Sequence, residues 1–525
     1  MNDDVKHDKK LIIYCLSWFA FLISGLWMTF HDQFSLWSVD GDTLDPFVIM
    51  DGIRQYGVNF LYTWRYTQDN WVFSLLPGVA ALTVLGFHPS LVVLSGWLIY
   101  IGSGILLTVL ARLMIGRPGY LIAIIYLFCD REARGWTGFL SSPVSHDVTL
   151  LWGLAALLCA WFAIARHGGF AVLSAVLVTL ASLSDPWGQA AVAGPVAGGA
   201  FLVFLLKKEV RRRAAWLCAM MVLSVVVTGT RCFGFLDWLP QTAFQLGTWA
   251  GFNANLATWF KGTARILNII PGYTGTSLAT TLGVWSVFLF VLSAVLPFLW
   301  RARQSISGAQ WLVVGSMMLS CLCTSVLYVI GALPDTMNAA RFFAVLVLFV
   351  PFLILFCLVQ GRSWEGGFAK FASVAVLFLL PVSGLCSVPA QTWLRPVRVY
   401  MNGSDGFIDF LKSHDLVYGY GPYWGTNPPG VTWLSRGSVI MRPVQFDGAG
   451  SMRQRGAQVS PLWYDGDVST RGRRFFVALV QDEENCSSLS LCRDALQKHF
   501  GTPAERLQYG AIQVLVWDQP APRIE

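Results

Sequence analysis

The sequence predicts an all-α polytopic membrane protein with about 11 transmembrane helices, interfacial helices on its outer face, and a small C-terminal α/β extracytoplasmic domain. Three observations predict it. The 525 residues are 55% hydrophobic and 13% charged, where soluble domains run at about a quarter charged. Mean hydropathy is +0.55. Apolar runs of spanning length recur from the N-terminal end to about residue 388, and the pattern then changes to short alternating and amphipathic stretches.

The segment MNDDVKHDKK precedes the first apolar run, Leu11–Phe30. No small-residue cleavage site stands before Asp32, so the run reads as an uncleaved first helix rather than a signal peptide. The next stretch, Trp37 to Gly57, carries Asp40, Asp42, Asp45 and Asp51. Acids this dense beside a bilayer are costly unless they sit in water and serve a purpose. At helical spacing Asp42 and Asp45 share a face, although Asp42 or Thr43 also suits a helix N-cap before Leu44–Tyr56.

The spans expected are 11–30, 90–114, 118–130, 148–165, 169–183, 187–206, 214–230, 278–300, 310–331, 342–360 and 368–388. With Lys9 and Lys10 cytoplasmic, alternation puts Arg112/Arg117, Arg166, the block Lys207–Arg213, Arg301/Arg303 and Arg362/Lys370 on the same side, as the positive-inside rule requires. This holds only if Trp71–Phe87 does not cross. That run contains Pro77–Gly78 and follows polar Gln68–Asn70, so it is expected to lie at the interface or re-enter from the outer face. The outer side then receives Asp32–Asn70 with the 71–87 helix, Asp130–Asp147, Ser184–Trp187, Arg231–Ser277, Pro334–Arg341 and everything after about Pro389.

In that tail, Asp405–Ser413 and Ser488–Phe500 read as helices. Leu416–Tyr420, Ser438–Arg442, Phe475–Val480 and Ala511–Trp517 read as strands. Two domains are expected: 1–388 in the membrane, with catalytic loops at 31–89 and 130–147, and 389–525 as the outer α/β domain. Cys486 and Cys492 suit a short disulfide if the tail is extracytoplasmic.

Candidate site residues follow from the outer loops. His146–Asp147 follows SSPVS at the mouth of a helix, where it reads either as a cap or as a second acid or imidazole facing a cavity. Arg131, Glu132 and Arg134 in the same loop suit surface ion pairs or an anion site. Arg341, at the outer start of a late helix, runs against the positive-inside trend. It reads as a phosphate fork or as a snorkelling side chain. Asp185–Pro186–Trp187 reads as a capped turn. Tyr420, Tyr423, Trp424 and Trp433 suggest either a sugar-stacking surface or packing within the tail.

No GxxxxGK[ST], HExxH or GxSxG string is present. The inner connections are too short for a nucleotide-binding fold, so transfer chemistry on the outer face would need an activated substrate delivered through the membrane. Nothing in the charge distribution calls for a nucleic-acid partner.

With an acidic first outer loop, a re-entrant run after it, a second outer loop ending in Asp147, and Arg341 before a late helix, the chain resembles the GT-C membrane glycosyltransferases. It looks most like the bacterial members related to protein O-mannosyltransferases and to the aminoarabinose transferases of lipid A. The resemblance spans about 1–388. It implies an inverting enzyme of the bacterial inner membrane, with a cytoplasmic N-terminus and a periplasmic active site. The donor implied is a sugar on a polyprenyl phosphate, and the acceptor a periplasmic glycan or glycolipid such as lipopolysaccharide.

The family's first-loop aspartate falls on VDGDTLDP, with Asp42 preferred over Asp40 and Asp45. Thr43 stands where family members often have Glu, which leaves that choice open. Asp147 would be the second acid, and Arg341 the group on the lipid phosphate, helped by Arg134 and Arg131. His146, Tyr420, Tyr423 and Trp424 would meet the acceptor or sugar. No cofactor is expected, and a divalent metal fits the carboxylates without being predicted. The alternatives are an O-antigen ligase or polymerase using a polyprenyl diphosphate, or a transporter. The first is weakened because 231–277 holds only Arg231, Lys261 and Arg265 as cations and no His. The second is weakened by the near absence of charge within the apolar runs.

Overall fold

The structure, a computed structural model, describes residues 18–31, 33, 41–67, 71–86, 88–129, 146–237, 239, 245–270, 277–333, 341–360, 367–386, 404–465, 473–481, 486 and 488–524. Two compact units are present: 1–35, 96–236 and 242–397 form the first, and 36–95, 237–241 and 398–525 the second.

The first unit is helical. Among the described residues, six helices are long and apolar enough to cross a membrane: Val93–Ile115, His146–Ala165, Gln189–Leu206, Leu278–Gln304, Gly308–Ile330 and Arg341–Gln360. Eleven spans were expected. Four of the expected segments appear as shorter apolar helices, Trp18–His31, Arg117–Leu127, Phe170–Ser184 and Lys370–Cys386. The run near 214–230 lies in the helix Arg211–Gly229, whose first turn is three arginines.

Helix contacts in this unit use small residues, as expected where apolar burial gives no preference between lipid and protein. A Cβ on Gly199 would stand 2.8 Å from the Leu312 carbonyl and collide with the Ser316 hydroxyl. The helix Gly194–Leu206 can therefore lie directly against Gly308–Ile330 only with glycine there. Ser320 Oγ donates to the Ala191 carbonyl at 2.7 Å, tying the latter helix to the π-helical turn Gln189–Ala193.

The second unit is built on one six-stranded mixed sheet. Its strands are β1 (Tyr418–Pro422), β2 (Ile440–Phe446), β3 (Met452–Gln454), β4 (Phe475–Leu479), β5 (Glu505–Tyr509) and β6 (Ile512–Trp517). The order is β3-β2-β1-β4-β6-β5, with β1 parallel to β2 and β4 and the outer pairs antiparallel. Strand β4 is buried throughout, which explains its unbroken apolar run. The helices Ser404–Ser413 and Leu489–Phe500 form where periodicity predicts them. Strands β3 and β5 were not anticipated, because one has three residues and the other is mostly exposed. The aromatic stretch after β1 forms two short helices, Tyr423–Thr426 and Pro428–Leu434.

The acidic segment belongs to this unit. Its helix Gly41–Tyr56 packs against Val72–Leu85, where a Cβ on Gly78 would stand 2.9 Å from the Pro46 ring. The helix Val72–Leu85 has 14 residues, or about 21 Å of rise, short of the roughly 30 Å of a hydrocarbon core. Phe47 meets Trp433 edge-on at 4.7 Å. Arg65 Nη1 donates to the Arg455 carbonyl at 2.9 Å, and its amide to Val459 O at 2.8 Å. Thr63 and Ser460 hydroxyls meet at 2.9 Å. These bonds fix residues 455–460 beside the segment that follows the acidic helix.

Candidate functional site

Asp42 lies in the first turn of Gly41–Tyr56, where the helix dipole favours negative charge. Asp45 is three residues on and therefore on the same face. Asp42 is partly exposed, and Asp45 is buried at 2% exposure. Two carboxylates this close need donors. The Gln458 side-chain amide supplies them: Nε2 donates to Asp42 Oδ1 and, at 3.2 Å, to Asp45 Oδ2. Tyr423 Oη donates to the same Asp42 oxygen at 3.3 Å.

The orientation of that amide is dictated from behind. Arg455 Nη1 donates to Gln458 Oε1 at 2.7 Å and to the Ala457 carbonyl at 2.8 Å. A guanidinium has only donors, so it must face the amide oxygen and turn the NH₂ group toward the acids. The Arg455 guanidinium also sits 4.0 Å above the Tyr423 ring, a cation–π contact that holds both side chains. Gln458 is buried and has φ of +55°, a left-handed conformation that costs a non-glycine residue of order 1 kcal/mol. Tyr66 is buried nearby. Burial first, and then the Asp45 charge, push its hydroxyl far above the usual tyrosine range, so it stays protonated.

A second cluster lies in the first unit. His146 and Asp147 open the helix His146–Ala165 and are buried, as is Asp185 at the end of Phe170–Ser184. His146 Nδ1 pairs with Asp185 Oδ2, while Asp185 Oδ1 accepts the Trp187 amide at 2.9 Å. The imidazole packs 4.9 Å from the Trp187 ring and 5.4 Å from Phe342. Trp187 Nε1 donates to the Phe342 carbonyl at 2.7 Å. Arg341 stands beside this cluster, its guanidinium 5.3 Å from the Phe342 ring.

Among the sequence-predicted residues, Asp42, Asp45 and Tyr423 thus meet in one unit, and His146, Asp147 and Arg341 gather around one helix mouth in the other. Asp40, Arg131 and Arg134 lie outside the described residues. Tyr420 does not present a stacking face: it is fully buried and its hydroxyl donates to the Pro522 carbonyl at 2.7 Å. Tyr423 is also fully buried, whereas Trp424 is 46% exposed. Sequence reasoning missed Gln458 and Arg455, and it gave Asp185 only a turn. Among the described residues, no group of three or more His, Cys, Asp or Glu is placed to hold a metal ion.

No protein-family model and no curated protein matches the chain. Solved structures do. The apo crystal structure of ArnT from Cupriavidus metallidurans aligns with a TM-score of 0.51 at 10% identity, covering 96% of this chain and 98% of that one. ArnT bound to undecaprenyl phosphate aligns at 0.47 with 12% identity, covering 95% and 98%. An oligosaccharyltransferase from Archaeoglobus fulgidus aligns at 0.42 with 12% identity, covering 81% of this chain and 64% of that one. The chain shares the fold of ArnT along nearly its whole length.

Proposed function

We propose that this protein is an inverting glycosyltransferase that moves a single sugar from a polyprenyl phosphate to a glycan or glycolipid acceptor at the outer face of a bacterial inner membrane. The observation that carries the reading is the Asp42–Gln458–Asp45 arrangement. It is an oriented pair of carboxylates, one partly exposed and one buried, in a chain with the ArnT fold. The disulfide between Cys486 and Cys492 supports an oxidising, extracytoplasmic setting for the second unit.

Asp42 is the base. It accepts the proton of an acceptor hydroxyl or amine as that group attacks the anomeric carbon, and the bond to the phosphate oxygen breaks on the opposite side. General-base catalysis of this kind contributes about 10²–10⁴-fold. Asp45, Gln458 and Arg455 are positioning residues that fix the Asp42 carboxylate, and Tyr66, kept protonated, adds no second negative charge beside Asp45. Arg341 is assigned to the leaving phosphate, because a guanidinium fork suits phosphate oxygens and stabilises charge as it develops. Asp147 and His146 are assigned to the donor side, with Asp185 holding the imidazole in one orientation.

The test is direct. Purified protein is incubated with labelled polyprenyl-phosphate sugars and envelope glycans, with and without chelator. Transfer of label from at least one monophosphate donor, lost in Asp42→Asn, is expected. Transfer only from diphosphate-linked oligosaccharides, or from none, would overturn the reading.

A further inference from the structure

The second unit contains a cleft of about 700 Å³ apart from the carboxylate pair, between the C-terminal half of the helix Gly41–Tyr56, the helix Pro428–Leu434 and β2. Asp51 and Arg54 face it from the first helix. They lie about 13 Å or more along the helix axis from Asp42, at 1.5 Å per residue. The volume is that of a small-molecule site rather than a surface dimple.

Two indoles form part of the wall. Trp433 is held edge-on against Phe47 and is partly exposed, so its remaining surface is rigidly presented. Trp463 lies under the Arg442 guanidinium, 4.7 Å from its ring centroid. Arg442 Nε is buried and has no hydrogen-bond partner among the described residues. A buried donor on a permanent cation is costly to leave unmade, and a ligand oxygen would complete it. Arg436 stands at the rim, where it and Gly437 both take left-handed backbone (φ +55° and +76°) to close the helix Pro428–Leu434. The acids Asp51 and Asp405 line the same cleft and are exposed.

Rigid indole surface, guanidinium forks and carboxylate acceptors together match one ligand class. The apolar C–H face of a pyranose packs on an indole, its hydroxyls donate to carboxylates, and an anionic substituent takes the arginines. Three guanidinium groups, Arg54, Arg436 and Arg442, outnumber the two carboxylates in the lining, which favours a ligand with negative charge. We propose that this cleft binds a saccharide carrying a carboxylate or phosphate group, at a site separate from the Asp42–Asp45 centre. The site is defined by binding and does not depend on which donor the enzyme uses.

The test uses full-length protein in lipid nanodiscs, titrated with glucose 6-phosphate, glucuronate, glucose and inorganic phosphate, with saturation-transfer NMR on the sugar protons. Glucose 6-phosphate and glucuronate are expected to bind more tightly than glucose and to receive saturation on their ring protons. Arg442→Gln should weaken them about ten-fold, the effect of losing one charge-assisted donor. Because Arg442 is partly buried, Arg436→Gln provides a rim variant that leaves the interior intact and should weaken the same ligands several-fold. Asp42→Asn should bind them as the wild type does, so loss of transfer and loss of this site are read separately. Equal binding of glucose and glucose 6-phosphate, no binding by the wild type, or no effect of either arginine variant overturns the proposal. Inorganic phosphate binding as tightly as glucose 6-phosphate, with no saturation on sugar protons, shows an anion site only and overturns it equally.

Discussion

Asp45 is held by Gln458, a residue 413 positions later in the chain, whose Nε2 donates one hydrogen bond of 3.2 Å to Asp45 Oδ2. The same NH₂ group reaches Asp42, so one neutral side chain sets the geometry of both acids. Replacing Gln458 with Leu keeps much of its volume but removes both donations, one of them to a buried carboxylate. That should cost about 1–3 kcal/mol, read as a lowered midpoint of thermal unfolding, and should lower kcat more than it changes KM. Gln458→Gly removes the amide too but relieves the left-handed backbone. It should therefore be about 1 kcal/mol less destabilising than Gln458→Ala. A Gly variant no more stable than Ala would show that the φ of +55° carries no strain.

Asp42→Asn keeps the shape of the side chain and removes its basicity. Transfer should fall about 10²–10⁴-fold, with expression, detergent extraction and unfolding midpoint close to wild type, since Asp42 is only partly buried. Activity near wild type would move the base to Asp40 or Asp45.

How far the sequence could take these conclusions depends on the range of the interaction concerned. Helix content, the buried strand β4 and the acidic face at Asp42 and Asp45 are local patterns, and all were readable from spacing. Gln458 was not. It sits in the stretch GAQVS, whose composition reads as a loop, and its role arises only when Arg65 pins residues 455–459 beside the acidic segment. Asp185 shows the same limit: the Asp-Pro-Trp string predicts its turn with Trp187, while its second oxygen serves His146, 39 residues earlier. Tyr420 failed in the other direction. Its aromatic neighbours suggested a binding face, but residues of a central strand between β2 and β4 are buried on both sides.

The Asp185 pair predicts an asymmetry. Asp185→Ala removes at once the carboxylate oxygen that pairs with His146 and the one that accepts the Trp187 amide. A loss of about 1–3 kcal/mol is expected. Asp185→Asn retains an acceptor oxygen and should cost less than Ala. Identical unfolding midpoints for the two variants would remove the hydrogen-bonding role.

Tyr66 makes a pH prediction. Burial, reinforced by the Asp45 charge, raises its folded pKa, whereas in the unfolded chain it titrates at about pH 10. A raised folded value means the protonated form favours the native state. The associated stability is present below about pH 10 and is lost as pH rises above it. Tyr66→Phe should therefore leave the tyrosinate absorbance of the folded protein at about pH 10 unchanged, and should flatten the alkaline loss of stability. A drop of one titrating tyrosine in the folded variant would contradict burial of this hydroxyl.

The disulfide makes the last prediction, and a local one. Cys486 and Cys492 are six residues apart and both fully buried. They tie the segment before Ser488 to the first turn of the helix Leu489–Phe500. On the chain-entropy account a loop this short contributes about 2 kcal/mol. The far end of that helix is anchored independently, by Phe500 edge-on to Phe475 at 5.5 Å and by Trp517 Nε1 donating to Gly501 O at 2.9 Å. Loss of the bond in a Cys486→Ser, Cys492→Ser variant should fray the helix from its N-terminal end and leave β4 and β6 protected. Hydrogen exchange read by mass spectrometry should show faster exchange over 489–496 and no change over 475–479 and 512–517. If protection falls equally across the sheet, the disulfide is a staple of the whole unit rather than of one helix end.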